Sequence, residues 1–372
     1  MSAAPEEKTN LLGLDRSGLE RFFANLGEKP FRARQLLQWI HQRGVADFAL
    51  MTDLSQKLRD RLAEIAEIAP PRVMREQCSS DGTVKWLLAV EGGSAVETVF
   101  IPEPTRGTLC ISSQVGCMLN CTFCSTATQG FKRNLSSAEI AGQVWHAVQA
   151  LADERLGSRS VTNVVFMGMG EPMLNLDAVT SSLSLLRDDL AYGLASRRVT
   201  ISTAGVIPGI DQMAHGEEFA LAVSLHAPDD ELRTRLVPLN RKYPVADLIE
   251  ACRRFVAVHH RRSITFEYTM IDGVNDGRAQ AKGVARLLEG LPCKINLIPF
   301  NPFPGTPFRP SSAENIYEFQ KITRRSGIIT TVRKTRGEDI DAACGQLVGQ
   351  LLSPSDRRRV VQQQLARQAV MA

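Results

Sequence analysis

Apolar residues recur at helical spacing through the first 66 residues. Asp15 is placed to cap a helix carrying Leu19, Phe22 and Phe23, and Lys29-Pro30 starts a second through Phe31, Leu36, Leu37, Trp39 and Ile40. Asp53 is expected to open a third, with Leu54, Leu58, Leu62 and Ile65, before Pro70-Pro71 ends the helical region. Two strand-like runs follow, Thr83–Val90 and Ala95–Ile101. The Glu91-Gly92-Gly93-Ser94 turn between them predicts a hairpin linking the first region to the rest. After Pro104 the rhythm changes. Short apolar runs at Thr108–Ser112, Asn163–Met167, Arg198–Ser202, Phe219–Leu225, Ser263–Met270, Lys294–Ile298 and Ile328–Arg333 read as strands. Helical patterns separate most of them, at Ser137–Leu151, Leu176–Asp189, Val245–Val258 and Gly277–Leu288. Repeated β-then-α units predict an α/β fold with parallel strands, as a barrel or an open sheet.

Composition narrows the class. A chain of 372 residues that is 44% hydrophobic and 23% charged has ample material for a core. No apolar run reaches the roughly 18 residues a membrane helix needs. The opening Met1-Ser-Ala-Ala-Pro-Glu-Glu-Lys lacks the basic and apolar regions of an export signal, so a cytoplasmic location is expected. Net charge is only +4, yet the cations are grouped. Lys321, Arg324, Arg325, Arg333, Lys334 and Arg336 form one acid-free run; Lys29, Arg32, Arg34, His41 and Arg43 form another; Arg357, Arg358 and Arg359 lie near the C-terminus. A single such run is ordinarily a solvated face. Several separated ones favour a polyanionic partner.

Of eight cysteines, Cys78, Cys110, Cys252, Cys293 and Cys344 lie apart, so the set is not a disulfide framework. The other three form Cys117-Met-Leu-Asn-Cys121-Thr-Phe-Cys124, directly after the first strand of the β/α series. Three close thiolates can hold three irons of a cubane cluster and leave the fourth open. Zinc is the competing reading, but no fourth Cys or His follows at the usual short spacing.

C-x3-C-x2-C with an aromatic before the last cysteine, on the loop after the first strand of a β/α barrel, resembles the radical S-adenosylmethionine superfamily. That resemblance implies a partial (β/α)6-type barrel and one 4Fe–4S cluster on Cys117, Cys121 and Cys124. The open iron would bind S-adenosylmethionine. Other motifs fall where such a barrel needs them. Gly168-Met-Gly170-Glu171-Pro172 ends a strand, its glycines permit close backbone approach to a ligand, and Glu171 suits the ammonium of a methionine moiety. Ser202, then Ser224-Leu225-His226, then Asn301 stand at later strand ends. Each alone would be a cap or turn residue; together with Gly170 and Glu171 they are read as the cofactor-binding ring.

The match narrows with Gly107-Thr-Leu-Cys110-Ile-Ser-Ser-Gln-Val-Gly-Cys117, Asn296-Leu-Ile-Pro-Phe-Asn-Pro and Arg336-Gly-Glu-Asp-Ile-Asp-Ala-Ala-Cys344-Gly-Gln-Leu. To about residue 350 the chain resembles the bacterial dual-specificity adenine-C2 methyltransferases of ribosomal and transfer RNA. The adenine-C8 enzymes of antibiotic resistance share the chemistry and are the alternative. The resemblance implies two S-adenosylmethionines per turnover. One methylates Cys344; the other yields the radical that takes hydrogen from that S-methyl group. The resulting carbon radical adds to an electron-poor adenine carbon, Glu97 accepts the proton, and Cys110 attacks the Cys344 sulfur to free the methylated base. Without the resemblance, Cys344 and Cys110 would read as small buried hydrophobes, and Glu97 as an exposed strand carboxylate.

The division expected is a helical RNA-binding region at 1–75, a linking hairpin at 76–104, the barrel with its catalytic loop at 105–350 and a basic tail at 351–372. The Pro-rich stretch Pro299–Pro310 is expected over the barrel mouth near Cys344. The implied partners are 23S ribosomal RNA before full ribosome assembly, transfer RNA and an electron donor such as flavodoxin, with the protein a monomer. Two other classes compete: a radical enzyme acting on a protein or small molecule, and a non-enzymatic iron–sulfur or zinc RNA-binding protein. The basic run before Cys344 argues against the first, and the ring of strand-end polar groups has no purpose in the second.

Overall fold

The computed structural model describes residues 8–152, 160–258 and 263–349. Its N-terminal part is helical. β1 (Thr9–Asn10) leads into α1 (Arg16–Asn25), where Asp15 accepts from Gly18 N–H as expected of its cap. α2 (Phe31–Leu37) begins after Pro30. The third helix, α3 (Gln56–Ile65), is capped by Ser55 rather than Asp53, whose carboxylate instead accepts from the Trp39 indole at 2.5 Å. β2 (Ala66–Glu67) closes the region by pairing in parallel with β1.

Ten of the remaining twelve strands build one sheet. Its antiparallel wing comprises β3 (Val73–Cys78), β4 (Val84–Val90) and β5 (Ser94–Glu103). The pair read as a linking hairpin is therefore part of the main sheet, extended by a strand that periodicity did not reveal. β6 (Arg106–Cys110) is the pivot, antiparallel to β5 and parallel to β9 (Asn163–Phe166). Between β6 and β9, the short antiparallel β7 (Gln114–Gly116) and β8 (Phe131–Asn134) bracket the cysteine loop. Beyond β9 follow β10 (Val199–Thr203), β11 (Ala220–Ser224), β12 (Ile264–Met270), β13 (Cys293–Pro299) and β14 (Ile329–Val332), all parallel.

Helices cross between these strands: α4 (Ser137–Ala150), α5 (Leu176–Arg187), α6 (Ile207–Met213), α7 (Asp230–Leu236) with α8 (Val245–Val258), α9 (Arg278–Leu287) and α10 (Ala313–Arg325). That makes six β/α steps and a last strand. The sheet does not close, since β14 and β3 are its edges. The parallel strands are covered on both faces, so burial is nearly continuous along β12, and Phe266 and Tyr268 of β12 and Ile295 and Leu297 of β13 are almost fully buried.

One hydrophobic core runs from Leu19, Phe23 and Leu36 of the N-terminal helices into Val164, Phe166 and Leu297 of the sheet. Arg16 pairs with Asp188 and Asp189, and the Trp145 indole donates to Ile40 carbonyl at 2.9 Å, fastening those helices to α4 and the end of α5. The parallel arrangement puts the C-terminal ends of β6 and β9 to β14 at one mouth, where the chemistry-bearing residues gather. Residues 351–372, including the expected basic tail and Arg357–Arg359, lie outside the described residues.

Candidate active site

Two adjoining cavities open at that mouth. The first is a cleft spanning about 880 Å³, part of it open to solvent, and is lined by Cys117, Cys121, Cys124, Gly170, Glu171, Ser202, Ser224, His226, Glu267 and Asn301. The second, about 650 Å³, is lined by Val99, Cys110, Arg333, Lys334, Thr335 and Arg336. Both are lined by Cys124, Gly168, Asn301, Cys344 and Gly345, so Cys344 stands at their junction.

Of the three loop cysteines Cys117 is buried and Cys121 and Cys124 are half-buried, and desolvation raises each thiol, Cys117 to about 12. Thiols so placed do not ionise alone; they need a cation to take the negative charge. Among the described residues, no three His, Cys, Asp or Glu side chains are gathered as a single metal ion requires. A cubane presents a separate iron to each thiolate and does not need the three sulfurs at one point. The donor set thus fits an iron–sulfur cluster better than zinc.

Glu171 lies at the end of β9 against the same cavity. Its carboxylate accepts from Met173 N–H at 3.0 Å and Ala204 N–H at 2.8 Å, and burial lifts it to about 7. The glycines before it serve the protein's own packing: a Cβ at Gly168 or Gly170 would stand 2.5–2.7 Å from the Ile111–Gln114 segment. That accounts for both without a ligand. Ser202 Oγ donates to the Glu267 carboxylate at 3.3 Å. His226 Nδ1 accepts from Thr269 N–H at 3.0 Å, its ring stands edge-on to Phe123, and burial lowers its pKa to about 3, so it is neutral. Leu225 does not line the cavity; it is fully buried, and its carbonyl accepts from Arg233. Asn301 donates to the Cys344 carbonyl at 3.0 Å, and Gln346 donates to the Pro302 carbonyl, so the Pro-rich loop does meet the Cys344 segment.

Cys110, at the end of β6, and Cys344, 234 positions later, line one cavity; Cys344 raises the Cys110 thiol further, and both raise the Arg333 guanidinium. Burial is the main cause for both, lifting Cys110 to about 12; Arg333 opposes it at each thiol. Arg333 therefore faces the two cysteines from the cavity wall rather than belonging wholly to an outward basic face. Another cation of the basic runs is also absent from the surface: His41 is buried against Tyr192 and neutral, with a pKa lowered by burial to about 3.

Comparison with known proteins supplies the family. The "Ribosomal RNA large subunit methyltransferase N-terminal domain" family matches residues 9–68, and the radical SAM superfamily matches residues 111–281. The dual-specificity RNA methyltransferase RlmN of Marinobacter nauticus is 54% identical over 98% of both chains. That of Stenotrophomonas maltophilia is 54% identical over 96% of this chain and 92% of its own. This chain belongs to the RlmN family of radical SAM RNA methyltransferases. A crystal structure of a radical SAM methyltransferase from Sphaerobacter thermophilus, 44% identical, superposes with a TM-score of 0.86 over 92% of this chain and 100% of that one. Membership implies a 4Fe–4S cluster and S-adenosylmethionine as cofactors.

Three buried charged residues escaped the sequence reading, of which only Glu267 lines a cavity of this RlmN-family site while Arg233 and Lys85 lie behind its walls. Glu267, on β12, lines the first cavity, and burial raises its pKa. Arg233, on α7, is fully buried and donates to the carbonyls of Ala204, Ser224 and Leu225 and to Asn240 Oδ1, joining the ends of β10 and β11. Lys85, on β4, pairs with Glu97 at 3.2 Å. Glu97 is buried, not exposed, and it also accepts from Val348 N–H at 2.6 Å and Gly349 N–H at 3.3 Å. Nothing in periodicity marks these groups, because their partners are brought together only by the fold. Among the described residues, no helix is long and apolar enough to cross a membrane.

Proposed function

We propose that this enzyme methylates C2 of adenosines in 23S ribosomal RNA and in transfer RNA, carrying the methyl carbon on Cys344. The supporting observation is the place of that thiol, between a cavity lined by three thiols and strand-end polar groups and a second cavity holding Cys110 and basic side chains. When bound through Cys117, Cys121 and Cys124, the cluster supplies the electron that makes S-adenosylmethionine a source of a hydrogen-abstracting radical. The chain's own groups do the rest. Glu171 takes the cofactor's ammonium; Gly170, Ser202, Ser224, His226 and Asn301 surround the rest of the molecule, and Leu225 shapes the strand end from behind. Arg333 favours the thiolate of Cys344, which accepts a methyl group from one S-adenosylmethionine; a second molecule activates it.

An adenine inserted beside Cys344 must be unstacked, which suits an adenosine in a loop or in remodelled RNA. In transfer RNA that position is the adenosine 3′ to the anticodon; in 23S ribosomal RNA it lies in the peptidyl-transferase region. Glu97 accepts the C2 proton, and the adduct's unpaired electron would pass back to the oxidised cluster. The Cys110 thiolate then attacks the Cys344 sulfur; the bridging carbon leaves with the bonding pair and takes up a proton, and a disulfide and a free methylated base result. The helical region at 1–75 is proposed to contact RNA, with 76–104 linking it to the barrel segment 105–350. The relatives' name supports two RNA classes, and the N-terminal family match supports the ribosomal one. Nucleoside mass spectrometry of both RNAs, with and without the gene, tests this. Loss of 2-methyladenosine from both is expected; loss of 8-methyladenosine instead would assign the other carbon.

A further inference from the structure

We propose that Lys85 is a positioning residue for the methyl transfer, which sets the place of Cys344 by latching the loop on both sides of it. Lys85 and Glu97 lie on the adjacent strands β4 and β5, and their side chains are only 2% and 5% exposed. The ammonium donates to the Asp341 carbonyl at 3.1 Å, three residues before Cys344. The carboxylate it holds accepts from the amides of Val348 and Gly349, just beyond Cys344. One ion pair thus grips both shoulders of the loop from a rigid sheet.

Loop geometry agrees with a latched segment. Gly349 has a φ of +56°, and a Cβ there would lie 2.5 Å from the Ala95 carbonyl on β5, so this close approach admits only glycine. On the other side, Ser125 N–H donates to the Gly345 carbonyl at 2.6 Å, and Thr126 Oγ1 donates to Leu347 carbonyl at 2.7 Å. Cys344 is therefore suspended between the cysteine loop and the latch.

A consequence concerns Glu97, and it rests on the reading of that carboxylate as proton acceptor. While the latch is closed, Oε1 is held by Lys85 and Oε2 by two amides. The carboxylate reaches a proton on the base only after the loop lets go, so release of the Cys344 loop and readiness of the acceptor are one event.

The test uses the full-length holoenzyme, with Lys85→Met and the double variant Lys85→Met/Glu97→Gln. The double variant leaves no unpaired buried charge, so it guards against simple misfolding. Hydrogen–deuterium exchange across residues 341–349 is read beside far-UV circular dichroism, melting temperature and iron content. With those three unchanged, exchange in this segment should rise roughly tenfold or more, the scale of losing a charge-assisted hydrogen bond. Lys85→Arg, which keeps charge and donor, should restore protection. RNA-free methylation of Cys344, followed by peptide mass spectrometry, should slow in the Met variants and recover in the Arg variant. Wild-type protection of 341–349 in the folded double variant would overturn the latch. Absence of methyl on Cys344 in the wild-type enzyme would instead sink the proposed function and leave the exchange result standing.

Discussion

Glu171 offers the sharpest residue-level expectation. Burial lifts its carboxyl to about 7, while the amides of Met173 and Ala204 hold the charged form. A cationic ammonium binds the carboxylate, not the acid, so binding should release protons near neutrality. S-adenosylmethionine affinity, measured anaerobically by calorimetry in buffers of different ionisation enthalpy, should weaken from pH 8 to pH 6. Glu171→Gln should raise Kd by roughly ten- to a hundredfold, the value of a charge-assisted contact, with cluster iron unchanged. It should also flatten the pH dependence; an equal pH slope in the variant would remove Glu171 from the site. At this scale, the cysteine spacing and Glu171 were legible because their signal is local. Glu267, Arg233 and Lys85 were not: a buried charge has no sequence mark until distant segments satisfy it.

Among the elements, the long periodic helices and the parallel strands were readable to within a few residues. The helices α6, α7 and α10 and the strand β3 were not assigned. α6 and α7 have only seven residues each, too few for a clear 3.6-residue stripe, and β3 is largely exposed on an edge. α10, capped by Ser312, buries only Ile316, Phe319 and Thr323, a stripe too sparse to stand out among its charged positions. The junction between the N-terminal helices and α5 carries a testable consequence of burial. His41, held against Tyr192, has its pKa lowered from 6.5 to about 3. Between those values the unfolded chain binds the extra proton, so stability is full above about pH 6.5 and falls as pH drops. The loss is about 1.4 kcal/mol per pH unit. Thermal melts of His41→Gln should show a shallower decline from pH 6.5 to pH 5 than the wild type. An equal decline would mean that other groups set the acid limit.

For the whole molecule, the open barrel mouth joins a cofactor chamber to a basic chamber, and RNA is expected to enter through the second. Lys334 is exposed on its rim, whereas Arg336 pairs with Asp81 and Arg333 faces the thiols. Lys334→Gln should therefore reduce the salt slope of log K for RNA by about 0.7–0.9, one phosphate's worth, without altering Cys344 methylation. An unchanged slope would move the RNA path elsewhere. The central claim is that Cys344 carries the carbon while Cys110 only releases it, and both variants to alanine remove equally small side chains. Denaturing electrophoresis and mass spectrometry after reaction with RNA and S-adenosylmethionine separate the two roles. Cys110→Ala should accumulate protein joined to RNA through a sulfur–methylene bridge, and Cys344→Ala and the double variant should leave RNA unmodified and unlinked. An adduct that persists without Cys344, or normal turnover without Cys110, would contradict the account.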